Sequence, residues 1–144
     1  MLCRKRNRGA RLPILISLVA IAAVMMVSLA PSDVVGSLRT QLPAALEHAL
    51  AYAALGAVVS MSLRLRSWSA SIVGIVGLTM LAAILETAQL FVPGRSFWIS
   101  DIVGSASGAC LGVLAGMMLN RVVTTVRNRR NAAMLRKHAE EYPR

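Results

Sequence analysis

The stretch ASIVGIVGLTMLAAILETAQLFV, residues 70–92, decides the fold. Its 23 residues contain a single charged side chain, Glu86. A helix rises about 1.5 Å per residue, so a helix of this length crosses the ~30 Å hydrocarbon core of a bilayer. The stretch therefore predicts a membrane-spanning helix with one carboxyl group near its end.

Three more apolar stretches of similar length occur in the chain, at residues 13–30, 44–63 and 102–119. The chain has 144 residues, of which 56% are hydrophobic, and its mean hydropathy is +0.63. The connections are too short to hold a soluble domain. We therefore expect a single all-α domain over residues 1–144, a four-helix transmembrane bundle followed by a basic tail at residues 120–144.

The net charge of +10 is distributed unevenly. Of the 16 Lys and Arg residues, all except Arg39 and Arg95 lie before the first span, between the second and third spans, or after the fourth. The positive-inside rule then places both termini in the cytoplasm. We therefore interpret the charge mainly as a signal of topology. A weaker interpretation is that the basic residues attract anionic lipid headgroups. We expect no nucleic-acid partner.

The first span has two interpretations. Ser28 and Ala30 fit the small-residue pattern before a signal-peptide cleavage point, but the apolar stretch is long and Pro31 disfavours cleavage. We expect a retained anchor. The two cysteines, Cys3 and Cys110, have no metal-ligand spacing and fall at different depths, so neither a disulfide nor a thiolate site is predicted.

Polar side chains collect at the outward ends of three spans. A carboxyl group inside a bilayer is costly, so Glu86 needs a partner or a task. In this topology the neighbouring polar groups of the second, third and fourth spans map to the outer half of the membrane. We predict that eight residues meet in one polar binding pocket there: Glu47, His48, Tyr52, Glu86, Gln89, Arg95, Ser96 and Asp101.

Several pairings and roles are open within this pocket. Arg95 is expected to fork onto Glu86 or Asp101, and His48 to donate to Glu86 or Glu47. The catalytic candidates are Glu86, His48 and Asp101. Each residue also has a structural interpretation: Glu47 at a helix start, His48 at the interface, Asp101 as an N-cap and Arg95 as a loop residue. No known catalytic motif occurs, and we predict no metal and no cofactor.

The fourth span carries glycines at a regular four-residue spacing. Such a ladder presents a flat groove for close helix contact, so we predict a packing role rather than chemistry. Its partner is either a helix of the same chain or a second copy in a homo-oligomer. The ladder consists of Gly104, Gly108, Gly112 and Gly116.

Two blocks together resemble the VanZ-like family of small bacterial membrane proteins. The first is Glu-His-Ala-Leu-Ala-Tyr-Ala-Ala-Leu-Gly at residues 47–56. The second is Glu-Thr-Ala-Gln-Leu-Phe-Val-Pro-Gly-Arg-Ser at residues 86–96, followed by Asp101 and Gly108. Many relatives carry Asp-Lys and Asn where this chain has Ala44, Ala45 and Ser105. The blocks span residues 44 to about 116.

The resemblance implies a multi-pass protein of the bacterial cytoplasmic membrane that faces the envelope. The family takes its name from an accessory factor in teicoplanin resistance, but its biochemical activity is not settled, and the resemblance does not make this chain a resistance protein. Three functions follow as hypotheses. The first is binding of a lipid-linked envelope precursor or a lipopeptide in the outer pocket, with membrane lipids as partners. The second is a membrane-embedded acid–base enzyme using Glu86 and His48, and the third is a structural subunit of an assembly.

The orientation is testable with reporter fusions. Reporters fused after residues 67 and 140 should be active only in the cytoplasm, and those after residues 37 and 97 only outside, because the basic loops stay inside. Alkaline phosphatase and fluorescent-protein activities measure this directly. The reverse pattern would place the polar residues at the cytoplasmic face.

Overall fold

A computed structural model describes residues 8–35 and 42–141 of the chain. Cys3, Arg39 and the basic residues before Arg8 lie outside the described residues. The elements are α1 (Arg8–Leu29), α2 (Ser32–Val35), α3 (Ala44–Ser62), α4 (Trp68–Ala88), a 3-10 turn (Gln89–Phe91) and α5 (Ile99–Glu141). No strand occurs within these ranges.

Four of these helices are long and apolar enough to cross a membrane. The candidate spans are Arg11–Leu29, Ala44–Ser62, Trp68–Phe91 and a segment within Ile99–Leu135. The predicted all-α fold with four membrane-spanning helices is confirmed. The first three boundaries differ from the predicted ones by about two residues or fewer.

The fourth helix extends beyond the membrane span predicted for it. It begins at Ile99 and continues for 43 residues, whereas the predicted span covers residues 102–119. At about 1.5 Å per residue its length is roughly 65 Å, about twice the hydrocarbon thickness. The reason is local: no glycine or proline interrupts the sequence between Gly116 and Pro143. The basic tail is thus a continuation of α5 through Glu141.

The glycine ladder of α5 packs against α3 of the same chain. A Cβ atom on Gly104, Gly108 or Gly112 would overlap the carbonyl oxygen of Ala45, Ala49 or Ala53, respectively. Gly116 continues the series, with the Ala57 oxygen at 3.0 Å from such an atom. The offset between partners is constant, so α3 and α5 run parallel. Of the two partners considered, the helix within the chain is the one observed, and a second copy would have to use another surface.

The remaining helices pack around this pair. α4 runs back between them and contributes Leu78 and Ala82 to a core that includes Tyr52 and Leu55 of α3 and Val113 of α5. α1 packs on α3 and α4 and is the least buried of the four candidate spans. Large apolar side chains of all four helices remain exposed, as expected for a surface that faces lipid.

The loop between α3 and α4 is fastened to α5. The Asn120 amide donates to the carbonyl oxygens of Ser60 at 2.8 Å and Leu65 at 3.4 Å. The Arg121 guanidinium donates to the Arg66 carbonyl and lies 5.7 Å from the ring centre of Trp68. These contacts satisfy backbone groups at the helix ends and fix this side of the bundle.

The ladder can be tested with a matched pair of glycine-to-alanine variants. Gly108→Ala should lower the free energy of unfolding by about 1–3 kcal/mol, because its methyl group forces α5 away from the Ala49 carbonyl. Gly77→Ala is the control, since nothing lies within 4 Å of a Cβ atom at that position on α4. Thermal unfolding of the purified protein in detergent compares the two. Equal stability of both variants would contradict the packing described here.

Candidate functional site

The directions of the helices bring three ionisable side chains to one end of the bundle. α3 and α5 run parallel, so their N-terminal turns lie side by side, and α4 returns to the same end. His48 is near the start of α3, Asp101 is the third residue of α5, and Glu86 lies near the end of α4. Residues far apart in the chain therefore become neighbours.

His48, Glu86 and Asp101 form a compact group, called here the acid–histidine cluster. One ligand atom from each of these residues lies within 4.8 Å of the others. His48 Nδ1 is 2.9 Å from the Ala44 carbonyl oxygen and 3.8 Å from Asp101 Oδ2. Since a carbonyl only accepts, the 2.9 Å contact requires a proton on Nδ1. In the neutral imidazole, Nε2 is then the free acceptor.

The two acidic residues of the cluster are buried, with Glu86 as a whole 3% and Asp101 as a whole 6% exposed. Glu86 Oε1 accepts a hydrogen bond from the Trp98 backbone N–H at 2.9 Å, just before α5 begins. Asp101 Oδ1 accepts from Ser100 Oγ at 3.2 Å. Both carboxylates thus sit at the N-terminus of α5, where the helix dipole favours negative charge.

Asp101 does not occupy the predicted N-cap position. α5 begins two residues earlier, at Ile99, and the Asp101 N–H bonds to the Trp98 carbonyl at 3.1 Å. Asp101 therefore lies inside the first turn, with its side chain directed towards His48. This correction frees the carboxylate from a capping role and leaves it available to the cluster.

Tyr52 lies on α3 one turn beyond His48 and is 2% exposed. The carboxyl group of Glu86 is near enough to interact electrostatically with its hydroxyl. Among the described residues, no group forms a hydrogen bond to that hydroxyl. A buried hydroxyl without a partner costs free energy, so Tyr52 marks the inner wall of the cluster as a place where polar contact is incomplete.

Gln89 and Arg95 hold the end of α1. Gln89 Nε2 donates to the Ser28 carbonyl at 3.1 Å, and Arg95 donates to the Val27 and Ala30 carbonyls, each at 3.3 Å. These oxygens are at or just past the last turn of α1, where carbonyls lack partners inside the helix. A cation there also complements the helix dipole. We call this pair of residues the α1 clasp.

The clasp corrects one predicted pairing. Arg95 was expected to fork onto Glu86 or Asp101, but the hydrogen bonds described for its guanidinium go to backbone carbonyls. Gly94, at φ 73°, makes the turn that brings Arg95 there, and a Cβ at this glycine would overlap the Ser32 hydroxyl. The Pro-Gly-Arg motif thus docks the first helix.

The other predicted pocket residues lie outside the cluster. Ser96 Oγ accepts from Trp98 Nε1 at 2.7 Å on the exposed surface. Glu47 is half-buried in the first turn of α3 and is not one of the three grouped ligands. The prediction that His48 donates a hydrogen bond to Glu86 or Glu47 is wrong for the contacts described. Its hydrogen bond is with the Ala44 carbonyl, and its ion-pair contact is with Asp101.

Sequence reasoning missed the backbone partners of this site. Backbone groups are the same in every residue, so the sequence could not single out the ones used here. They are the Trp98 N–H and the carbonyl oxygens of Val27, Ser28 and Ala30. One signal was available: the last turn of α1 contains no basic side chain to satisfy its carbonyl oxygens, so donors from elsewhere are expected there.

Comparison with known proteins adds the family. The family model described as VanZ/LLP1 matches residues 3–120, which is most of the chain and includes all four candidate spans up to Asn120. The chain belongs to the VanZ/LLP1 family. The resemblance carried by the two motif blocks is confirmed. Searches of curated proteins and of solved structures found no match.

The VanZ/LLP1 match is wider than the two blocks and takes in α1. This agrees with the clasp, because Gln89 and Arg95 of the second block contact the end of that helix. With four candidate spans, the chain is a multi-pass membrane protein of this family.

The clasp predicts a stability effect at Arg95. Arg95→Ala removes two charge-assisted hydrogen bonds to α1, so the free energy of unfolding should fall by about 1–3 kcal/mol. Thermal unfolding in detergent measures the loss. Ser96→Ala is the neighbouring control, because its hydroxyl bonds only Trp98 at the surface among the described contacts. A smaller loss for Arg95→Ala than for Ser96→Ala would count against the clasp.

Proposed function

We propose that this VanZ/LLP1 protein resides in a bacterial cytoplasmic membrane and binds or modulates a lipid-linked or lipopeptide ligand of the envelope. The acid–histidine cluster, at the outer-leaflet end of the bundle in the predicted topology, would contact the polar part of that ligand. The apolar part would remain among the lipids.

One observation carries this proposal: the cluster has an accessible edge. The His48 side chain is 20% exposed, whereas that of Asp101 is 8% exposed. A headgroup can therefore reach the imidazole while the carboxylates stay behind it, and a ring nitrogen of His48 would form a hydrogen bond with that headgroup.

The surroundings of the cluster suit an amphipathic ligand. Trp98 and Ile99 are 61% and 69% exposed at the start of α5, next to the backbone group that bonds Glu86. Tryptophan is enriched at the membrane interface because its ring is apolar and its N–H is polar. An acyl or prenyl chain would pack along such side chains while the head meets His48.

An acid–base enzyme is the second candidate, and the convergence of the cluster favours it. His48 Nε2 would accept a proton from an attacking hydroxyl group, and Asp101, 3.8 Å from Nδ1, would stabilise the resulting imidazolium. Glu86 would orient or protonate the reacting group. The structural-subunit hypothesis has no such support, because the glycine ladder that would dock a partner is already covered by α3.

The binding proposal is tested with photo-crosslinking. The full chain is reconstituted in vesicles with a photoactivatable lipid-linked cell-wall precursor in one arm and a photoactivatable lipopeptide in the other. His48→Ala should lower specific labelling about fivefold, since a hydrogen bond to a ligand contributes ~1 kcal/mol. Labelling at the wild-type level in both arms would refute the proposal.

The control and the enzyme candidate use the same vesicles. Ser107→Ala should label normally, because its hydroxyl bonds the Val103 carbonyl on an exposed face of α5. Mass spectrometry of the recovered ligand separates the two functions: conversion that requires Glu86 and His48 supports catalysis, whereas an unchanged ligand supports binding alone.

A further inference from the structure

We infer that the acid–histidine cluster binds a divalent transition-metal cation. This inference does not rest on the proposed ligand function. The cluster supplies one imidazole and two carboxylates from three different helices, with Tyr52 as an outer partner. The sequence predicted no metal because these residues are separated along the chain and have no recognisable ligand spacing.

The donor geometry is close to that of a metal site. Ligand atoms of the three residues lie within 4.8 Å of one another. A tetrahedral ion with bonds of 2.0–2.2 Å needs its ligands about 3.4 Å apart, so the atoms must draw together by up to about 1.4 Å. Glu86 and His48 each have rotatable side-chain bonds through which they could approach the ion.

The hydrogen bonding of His48 is that of a metal ligand. Nδ1 donates to the Ala44 carbonyl at 2.9 Å, which orients the ring and leaves the Nε2 lone pair free. Histidines that bind metals commonly donate their other N–H to a backbone carbonyl or a carboxylate in this way. Ala44 is therefore the outer-sphere partner of the proposed site.

The charge of the cluster calls for a cation. Glu86 and Asp101 are both buried, and like charges so close together in a medium of low dielectric constant repel strongly. Within the part of the chain that the structure describes, the only salt-bridge contact of these carboxylates is the one with His48. A divalent cation would neutralise both carboxylates with the imidazole neutral, whereas a protonated His48 balances only one of them.

Tyr52 is an independent indication of a ligand at this place. Its hydroxyl is buried beside Glu86 and forms no hydrogen bond to any described residue. A water molecule on the metal, or a carboxylate oxygen turned inward by the metal, would give this hydroxyl its partner. The same contact would hold Tyr52 at the inner edge of the site.

The donor set selects the class of metal. One nitrogen and two oxygens without a thiolate suit Zn²⁺, Mn²⁺ or Fe²⁺, because imidazole favours transition metals over Mg²⁺ and Ca²⁺, which prefer oxygen ligands alone. Three protein ligands also leave at least one coordination position for water or a headgroup oxygen.

The test uses the purified full chain in detergent, with its affinity tag removed and metal stripped by a chelator. Addition of Zn²⁺ or Mn²⁺ should raise the Tm, and equilibrium dialysis with elemental analysis should give about one ion per chain. Glu86→Gln and Asp101→Asn should each weaken metal binding by more than about tenfold. Loss of a residue that only supports a ligand already weakens binding by about tenfold or more, and these two residues are direct ligands in the proposed site. Mg²⁺ and Ca²⁺ should produce a smaller rise in Tm.

Two controls keep the outcome unambiguous. Thr87→Val alters the exposed neighbour of Glu86, whose hydroxyl bonds the Ala83 carbonyl, and it should bind metal as the wild type does. Circular dichroism without metal establishes that the carboxylate variants are folded. A wild-type protein that neither gains Tm nor retains any transition metal would overturn the inference, as would equal binding by the wild type and by folded Glu86→Gln and Asp101→Asn.

Discussion

The backbone contact between α3 and α5 is the constraint on which the rest of the structure depends. Four glycines face a row of alanines, so the helices approach until carbonyl oxygens of α3 lie where Cβ atoms of α5 would otherwise be. In a bilayer this close packing replaces the hydrophobic effect as the force that holds helices together. The contact also fixes the register and sets the N-terminal turns of the two helices side by side, where His48 and Asp101 approach each other.

The polar residues at this end of the bundle separate into two networks with different tasks. The α1 clasp satisfies carbonyls at the end of a helix, a requirement that any membrane protein must meet. The acid–histidine cluster instead brings three ionisable side chains together. Satisfying the backbone groups at a helix end does not require such a cluster. Arg95 thus has a structural task at the end of α1, whereas the ionisable groups of the cluster are not explained by the end of that helix.

Much of the architecture was predictable because hydrocarbon thickness imposes a length on every spanning helix. The alternation of directions then placed His48, Glu86 and Asp101 at the same end. The partner of the glycine ladder also had a signal: alanines at positions 45, 49, 53 and 57 repeat at the same spacing. That match favours a contact within the chain.

Other features were beyond the sequence for physical reasons. The rotation of each helix about its own axis decides which of the eight polar residues meet. This rotation could not be predicted, because α3 and α4 have no clear polar face. Arg95 donates to backbone carbonyl oxygens, and because every residue has such an oxygen, the sequence does not show which ones accept. The predicted span ends at residue 119 because hydropathy falls at Arg121, but hydropathy does not show where a helix ends, and α5 continues to Glu141 through a segment without glycine or proline.

The uninterrupted backbone of α5 has a mechanical consequence. A single helix joins Asp101, inside the cluster, to a basic segment near the other end of its 43 residues. Pivoting this helix by about 5° would sweep its distant tip through roughly 5 Å, by the geometry of a helix about 65 Å long. A small change of tilt at the end that carries Asp101 would therefore be amplified at the basic end, because no hinge separates them.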